Sequence, residues 1–151
     1  MGHTYVIQTI HCVFSTQGRV KVLSPEIRQR LWPYLKGICR EHKLTALEVG
    51  GVSDHAHLLL RLPATESLSK AMQTIKGVSS KWINQTFFPM GPRFRWQEGF
   101  GGFSIGVSGV ERTANYIRGQ EQHHRRRTFE AEFIGFLKKH GIDYDERYVF
   151  D

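Results

Sequence analysis

Cysteine and long apolar runs are both scarce in this chain, and each scarcity argues against a class of protein. Only two cysteines occur, Cys12 and Cys39, without a CxxC spacing, which argues against a disulfide scaffold and a cysteine-based metal or redox site. We expect buried thiols in a reducing cytosol. No apolar stretch approaches the roughly 20 residues that cross a bilayer, and the N-terminus lacks the pattern of a signal peptide. A soluble, cytoplasmic protein with no membrane partner is therefore expected.

Internal repeats, low-complexity tracts and long linkers are also absent from the sequence. A length of 151 residues then predicts one domain spanning 1–151, large enough to bury a core without covalent links. Acidic residues are the minority charge, with 14 Asp and Glu against 21 Lys and Arg and a net charge of +7. This balance suits a polyanionic partner, although a solvated basic surface would give the same count.

Periodicity predicts six elements in the order strand, helix, strand, strand, helix, strand. The strands are runs rich in β-branched, aromatic and other apolar residues, and the helices carry apolar residues at helical spacing. The predicted ranges are 5–15, 25–43, 45–52, 55–62, 68–82 and 96–107. This order is the split βαβ arrangement of ferredoxin-like α+β domains, an antiparallel sheet with two helices on one face.

Two further helices are predicted after the last strand. Ser108 and Glu111 stand three apart, a capping box that would open a helix reaching about residue 122. Thr128 would cap a final helix over 129–139.

Two histidines flank one small residue in His55-Ala56-His57, on the third predicted strand. Residues two apart on a strand project from the same face, so both imidazoles can bind one ion. The pattern alone is also that of two histidines on an exposed sheet face. A zinc hydrolase site is the other alternative, but such sites usually add an aspartate or a further histidine, and the next residues are Leu-Leu-Leu-Arg.

Tyr116 and Gln120 stand four apart on the first of these two further predicted helices, so their side chains share one face. An ordinary surface pair has the same spacing. A glutamine oxygen suits Mg²⁺ or Mn²⁺, while imidazoles favour softer metals, which ranks Mn²⁺ at least level with Mg²⁺. A metal held by two imidazoles and an amide, beside a phenol nucleophile, is equipped to break a phosphodiester bond through a phosphotyrosine.

Four segments together resemble the single-tyrosine transposases of the IS200/IS605 type, which belong to the HUH nuclease superfamily. The segments are GGVSDHAHLL at 50–59, IKGVSSKW at 75–82, WQEGFGGFS at 96–104 and YIRGQEQHH at 116–124. The resemblance covers essentially the whole chain, including GIDYD at 141–145.

This resemblance implies an enzyme that cuts and rejoins single-stranded DNA at insertion-sequence ends, recognised as imperfect hairpins. His55, His57 and Gln120 would hold a divalent metal, and Tyr116 would attack phosphorus to form a 5′-phosphotyrosine. The family pattern has glutamine as third ligand, so His123 and His124 are left out of the predicted site. The resemblance also implies a homodimer and, for a DNA transposase, association with the nucleoid. Whether Tyr116 acts with the histidines of its own chain or of a partner stays open.

Basic residues near aromatics are the candidates for DNA contact. Arg93 and Arg95 interleave with Phe94, Trp96, Phe100 and Phe103, a composition suited to a single-strand groove, although some of these aromatics are expected in the core. The run at 123–127 is either a solvated turn or a phosphate-binding segment. The DNA-binding candidates are Arg93, Arg95, Arg118, Arg125, Arg126 and Arg127.

A different class of function uses the same fold. Ferredoxin-like sheets bind RNA through exposed aromatics, and a domesticated transposase relative would be a non-catalytic nucleic-acid-binding module. Such a module has no use for a histidine pair together with Tyr116 and Gln120, so the sequence favours the enzyme. The remaining histidines, His3, His11, His42 and His140, are expected to be structural or exposed.

Overall fold

A computed structural model describes residues 2–150. Within this range the chain forms one antiparallel sheet with strand order β2-β3-β1-β4. The strands are β1 (Thr9–Ser15), β2 (Thr45–Gly51), β3 (His55–Arg61) and β4 (Gly101–Ser104). The helices are α1 (Pro25–Glu41), α2 (Leu68–Phe87), α3 (Val110–Arg118), α4 (Gln120–His123) and α5 (Phe129–Lys139). The predicted α+β, ferredoxin-like class is confirmed.

The first face of the sheet packs against α1 and α2. Helix α1 begins where predicted, because the Ser24 hydroxyl accepts a hydrogen bond from the amide of Ile27 and Pro25 fills the first turn. Every second strand residue points to this side, and each buried aliphatic side chain contributes about 1.5–3 kcal/mol. The strand residues in this core include Cys12, Phe14, Ala56, Leu58 and Leu60.

The second face is closed by α3 and α5. Leu59 of β3 packs against Ala114 and Ile117 of α3. Val13 of β1 and Phe103 of β4 pack against the apolar side of α5, formed by Phe129, Phe133 and Leu137. The strand residues between these two contacts therefore lie in a covered pocket rather than on an open sheet.

Strands β1 and β4 are both shorter than predicted. Strand β1 starts at Thr9 instead of Tyr5, because its partner β3 ends at Arg61, opposite Thr9, and Tyr5 is 90% exposed. Strand β4 covers only Gly101–Ser104 of the predicted 96–107, and Trp96 makes a single bridge with Thr16. Apolar composition predicted these residues as strand, but within residues 2–150 they form no continuous ladder with a neighbouring strand.

The start and end of α3 also differ from the prediction. Ser108 lies in a 3₁₀ turn and Gly109 precedes α3 without a side-chain cap, so the predicted capping box does not form. The helix ends at Arg118, because Gly119 adopts φ −88° and ψ 14°. The predicted cap of α5 is confirmed, since the Thr128 hydroxyl accepts a hydrogen bond from the Ala131 amide.

The two cysteines are buried and unpaired, as predicted. Burial raises the pKa of Cys12 to about 12 and that of Cys39 to about 11, so both remain thiols at neutral pH. Among the helices of residues 2–150, none combines the length and apolar character needed to cross a membrane.

Gly50 allows α3 to lie close to β2. A Cβ at this position would come within 2.7 Å of the carbonyl oxygen of Ile117, a backbone atom that cannot rotate away. Since Tyr116 precedes Ile117, this close approach sets the depth of Tyr116 over the sheet.

We expect Gly50→Ala to lower the free energy of unfolding by about 1–3 kcal/mol, because α3 must move away from β2. Denaturant unfolding followed by circular dichroism measures this. The matched control is Gly37→Ala in α1, where a Cβ meets nothing within 4 Å. It should be neutral or stabilising by up to about 1 kcal/mol. Equal effects of the two substitutions would contradict the close-packing explanation.

Candidate active site under helices α3 and α5

The histidine pair projects from β3 into the covered face of the sheet. His55 and His57 are both 0% exposed, so neither lies on an open surface. Their rings are 5.0 Å apart, centroid to centroid, as expected for residues two apart on a strand. The surface-histidine alternative therefore does not describe this pair.

A hydrogen bond to the Nδ1 atom orients each ring of the pair. Nδ1 of His55 lies 2.7 Å from Asp54 Oδ1, and Nδ1 of His57 lies 2.8 Å from Nε2 of His11. Burial and His57 lower the pKa of His11 to about 3, so His11 is neutral and can donate or accept. Both Nε2 atoms are thus directed toward one centre, as in sites where outer hydrogen bonds orient histidine ligands.

Tyr116 and Gln120 approach the same centre from α3 and α4. Gln120 is 1% exposed, and its Oε1 lies 3.0 Å from Nε2 of His55. The Tyr116 ring lies 5.9 Å from the His57 ring, and its hydroxyl donates a hydrogen bond to Glu132. All four predicted site residues therefore meet within one chain.

Helix α5 adds Glu132, which the sequence analysis missed. Glu132 is 2% exposed, and its Oε1 lies 3.1 Å from Nε2 of His57 and 3.3 Å from Nε2 of His55. One signal was available in the sequence. Glu132 lies three residues after Phe129 and four before Phe136, on the apolar side of the helix, where a carboxylate is costly to bury without partners.

His124 is the second residue that the predicted site lacked. Its Nε2 lies 3.2 Å from Glu132 Oε1, and its ring lies 4.4 Å from that of His55. His123 instead stacks on Tyr116, with ring centroids 4.5 Å apart. Spacing along the chain could not separate these two neighbours, because the short helix α4 and the following turn decide which one points inward.

Mutual hydrogen bonds set the protonation states of the site. Burial opposes charge on His55, but Asp54 and Glu132 raise its pKa to about 9. Burial also opposes charge on Glu132, yet hydrogen bonds from His124, His55 and His57 hold its pKa well below the usual value. Burial and Glu132 raise the pKa of Tyr116 above its usual value of 10, so the phenol is protonated at neutral pH.

The donor atoms of the site fit a divalent metal. Ligand atoms of His55, His57, His124 and Glu132 all lie within 4.8 Å of one another, and Gln120 Oε1 adjoins them. Two ligand atoms on an ion with bonds of about 2.1 Å are separated by about 3–4 Å, so only small movements are required. Imidazole nitrogens with carboxylate and amide oxygens suit a metal such as Mn²⁺.

The predicted DNA-binding arginines are divided between different regions. Arg93 and Arg95 lie beside α2, in a cavity lined by Ser80 and Phe88. Arg118 pairs with Glu48 at 2.7 Å on the outer side of α3.

Arg125, Arg126 and Arg127 line a cavity of about 610 Å³ that also borders Asp54 and His124. Six Lys and Arg side chains and three carboxylates line it. Only this part of the predicted basic set adjoins the histidine cluster.

Three of the four aromatics suggested for a single-strand groove lie in the core instead. Phe94 and Trp96 are 5% and 7% exposed and belong to the core beside α2. Phe103 is 2% exposed and packs under α5. Sequence alternation cannot distinguish an exposed stacking aromatic from one covered by a later helix.

Comparison with known proteins identifies the family. The sequence model described as "Transposase IS200 like" matches residues 4–120, which include both histidines, the tyrosine and the glutamine. This chain belongs to the IS200-like transposase family. Membership supports a role in DNA transposition, and transposases are DNA-cleaving enzymes.

Individual relatives agree with that assignment. The chain is 27% identical over 124 residues to the transposases for insertion sequence element IS200 of Salmonella typhimurium and Salmonella typhi, covering 80% of this chain and 81% of each relative.

Solved structures share the fold. A candidate transposase from Deinococcus radiodurans R1 has a TM-score of 0.63 at 22% identity, covering 80% of this chain and 96% of that one. A REP-associated tyrosine transposase bound to a REP hairpin has a TM-score of 0.60 at 16% identity, covering 82% of this chain and 73% of that one.

We expect Asp54→Asn to lower the pKa of His55 from about 9 toward or below its usual 6.5, because an amide cannot stabilise the imidazolium. Histidine NMR over a pH series of metal-free protein measures this. A raised pKa stabilises the fold fully below pH 6.5, and the effect is lost as pH rises through about 9. The variant should therefore lose stability mainly below pH 9. Asp143→Asn, an exposed carboxylate change, is the control, and an unaltered His55 titration in Asp54→Asn would contradict the proposed pairing.

Proposed function

We propose that this transposase cuts and rejoins single-stranded DNA by forming a 5′-phosphotyrosine at Tyr116, with the assistance of a divalent metal, Mg²⁺ or Mn²⁺. The observation that carries this proposal is the meeting of Tyr116, Gln120 and both histidines at one buried centre. Four side chains of three chemical types, from three elements, converge there, and a structural role alone does not require that combination.

The covalent step exchanges one phosphorus–oxygen bond for another. The Tyr116 oxygen bonds to phosphorus, the bond from phosphorus to the 3′ oxygen breaks, and the phenolic proton is transferred, in net terms, to that oxygen. The product is a 5′-phosphotyrosine and a free 3′-hydroxyl. Attack by another 3′-hydroxyl reverses the exchange, so joining requires no nucleotide cofactor.

His55, His57 and Gln120 would hold the metal, and an ion bound there would supply positive charge to polarise the scissile phosphate. The chain itself supplies orientation. Asp54 and His11 fix the two rings, and packing of Ile117 against Leu59 fixes α3.

Tyr116 is proposed to act with the histidines of its own chain. The distance of 5.9 Å between the Tyr116 and His57 rings supports this arrangement. A homodimer stays compatible with it, since a dimer can form without exchange of the tyrosine helix.

DNA is proposed to reach the site along the basic cavity lined by Arg125, Arg126 and Arg127. This cavity adjoins Asp54 and His124, so a phosphate bound there lies next to the histidine cluster. The related REP-associated tyrosine transposase is bound to a hairpin, which supports a hairpin-forming strand as the substrate.

The non-catalytic alternative is less well supported. RNA-binding sheets of this fold present aromatics on the open face, whereas here the corresponding face is covered by α3 and α5. Its central residues His11, Val13, His57 and Leu59 are at most 3% exposed.

We expect Tyr116→Phe to abolish the covalent adduct, because it removes only the attacking oxygen. The measurement incubates the protein with labelled single-stranded DNA from the flanks of its own locus and Mg²⁺ or Mn²⁺, followed by denaturing electrophoresis. Tyr148→Phe is the control, since Tyr148 is 62% exposed. An adduct that persists in Tyr116→Phe would refute the proposed nucleophile. A mixture of Tyr116→Phe with His57→Ala should also stay inactive, and recovered activity would show that the tyrosine acts on a partner chain.

We expect the triple change of Arg125, Arg126 and Arg127 to Ala to weaken single-stranded DNA binding. Each lost phosphate contact should reduce the slope of log K against log salt by about 0.7, so three reduce it by about 2. Fluorescence anisotropy with Tyr116→Phe as the parent protein separates binding from cleavage. Changing Lys36, Arg40 and Lys70 to Ala removes the same charge from α1 and α2 on the opposite face of the sheet. An unchanged affinity and slope in the arginine variant would exclude this DNA path.

A further inference from the structure

The carboxylate of Glu132 lies between the histidine pair and Tyr116, and its two oxygens contact different groups. Oε1 faces imidazole nitrogens, at 3.1 Å from His57, 3.3 Å from His55 and 3.2 Å from His124. Oε2 accepts hydrogen bonds from the Tyr116 hydroxyl and from Nε2 of Gln120, the latter at 3.0 Å. One side chain therefore connects every member of the site.

Helix α5 holds this carboxylate firmly in place. Thr128 caps the helix, and Phe129 and Phe133 bury its apolar side against the sheet. Because Phe129 and Phe133 lie on either side of Glu132 in sequence, moving the Glu132 backbone away from the site would require the helix to lose that packing. The position of Glu132 therefore follows from the packing of α5 on the sheet.

Family membership assigns no role to this residue. The family match ends at residue 120, whereas His124 and Glu132 lie beyond it. Helix α5, which carries Glu132, therefore lies outside the matched residues.

The chemistry of the donors favours a carboxylate ligand. As metal ligands, two imidazoles and an amide contribute no negative charge, whereas Mg²⁺ and Mn²⁺ prefer hard, charged oxygens. Glu132 Oε1 is the one carboxylate oxygen within 3.3 Å of both Nε2 atoms of the pair among the described residues.

We propose that Glu132 is a ligand of the divalent metal and that the same carboxylate positions the Tyr116 hydroxyl, so that α5 joins the metal to the nucleophile. This rests on the metal-dependent function proposed above. The opposite possibility is that Glu132 occupies the metal position and must leave before an ion can bind. The two differ in the sign of their effect on metal affinity.

Isothermal titration of Mn²⁺ into the full-length protein and Glu132→Gln tests the ligand role. Glutamine keeps the volume of the side chain and removes its charge, so we expect Mn²⁺ affinity to fall at least tenfold. Unchanged affinity would overturn the proposal, and tighter binding would show that Glu132 occupies the metal position. Glu130→Gln is the matched control, because Glu130 lies on the same helix turn and forms an ion pair with Arg19, at 2.8 Å, away from the histidines.

Glu132→Asp keeps the test decisive if the glutamine variant does not fold. Aspartate retains the charge but is shorter by one methylene group, so Mn²⁺ should bind more weakly than to the wild type. Circular dichroism establishes that each variant is folded. Wild-type affinity in a folded Glu132→Asp protein would also overturn the ligand role.

The positioning role has its own measurement. At Mn²⁺ concentrations that saturate each protein, adduct formation by Glu132→Gln should be at least tenfold slower, with DNA affinity unchanged, because a displaced nucleophile slows the chemical step. A wild-type rate at saturation would remove Glu132 from that role.

The two proposals fail in different ways. If the wild-type protein binds no Mn²⁺ and forms no adduct, the metal-dependent function itself is wrong. If it does both while Glu132→Gln matches it, only the role of Glu132 is wrong.

Discussion

The packing of α3 and α5 on the second face of the sheet depends on the hydrogen bonds and ion pairs of the buried Glu132 carboxylate. A charge that is 2% exposed is tolerated only when it is paired and hydrogen bonded, and here His55, His57, His124, Tyr116 and Gln120 supply the partners. These partners come from β3, α3 and α4 and from the turn after α4. Helix α5 can therefore pack over the sheet only in the register that brings Glu132 to them, and α3 must lie close enough for Tyr116 to reach.

That constraint affects the chemistry directly. In the pairing described here, burial and the negative charge of Glu132 raise the pKa of the Tyr116 phenol, which disfavours the nucleophilic form. Positive charge near Oε1, the oxygen that faces the imidazoles, lowers the pKa of the phenol. In the proposed mechanism, a cation held beside Oε1 would therefore favour ionisation of the phenol that is held on Oε2, and the reactivity of Tyr116 would depend on metal binding.

The elements with local signals were predictable from the sequence. Ser24 with Pro25 marked the start of α1, Thr128 marked the start of α5, and the strands predicted at 45–52 and 55–62 pair as β2 and β3. The outer limits of β1 and β4 were not predictable, because a strand ends where its partner ends and the register is not encoded locally. The prediction of an aromatic groove was inaccurate for a related reason. Phe94, Trp96 and Phe103 have the composition of a binding surface, but α2 and α5 cover them.

The site itself divides in the same way. His55, His57, Tyr116 and Gln120 stand in short motifs whose spacing predicts convergence, and they do meet, although Gly119 breaks the helix that was expected to align the last two. His11, His124 and Glu132 reach the centre only through tertiary packing. No sequence motif surrounds His11, and its contact with His57 depends on the pairing of β1 with β3. Of these three residues, Glu132 alone had a signal in the sequence, because a carboxylate on the apolar side of a helix requires buried hydrogen-bonding partners. The imidazoles and the phenol of the site can supply those partners. The free-energy cost of burying the Glu132 carboxylate therefore indicates that α5 packs over the histidines and Tyr116.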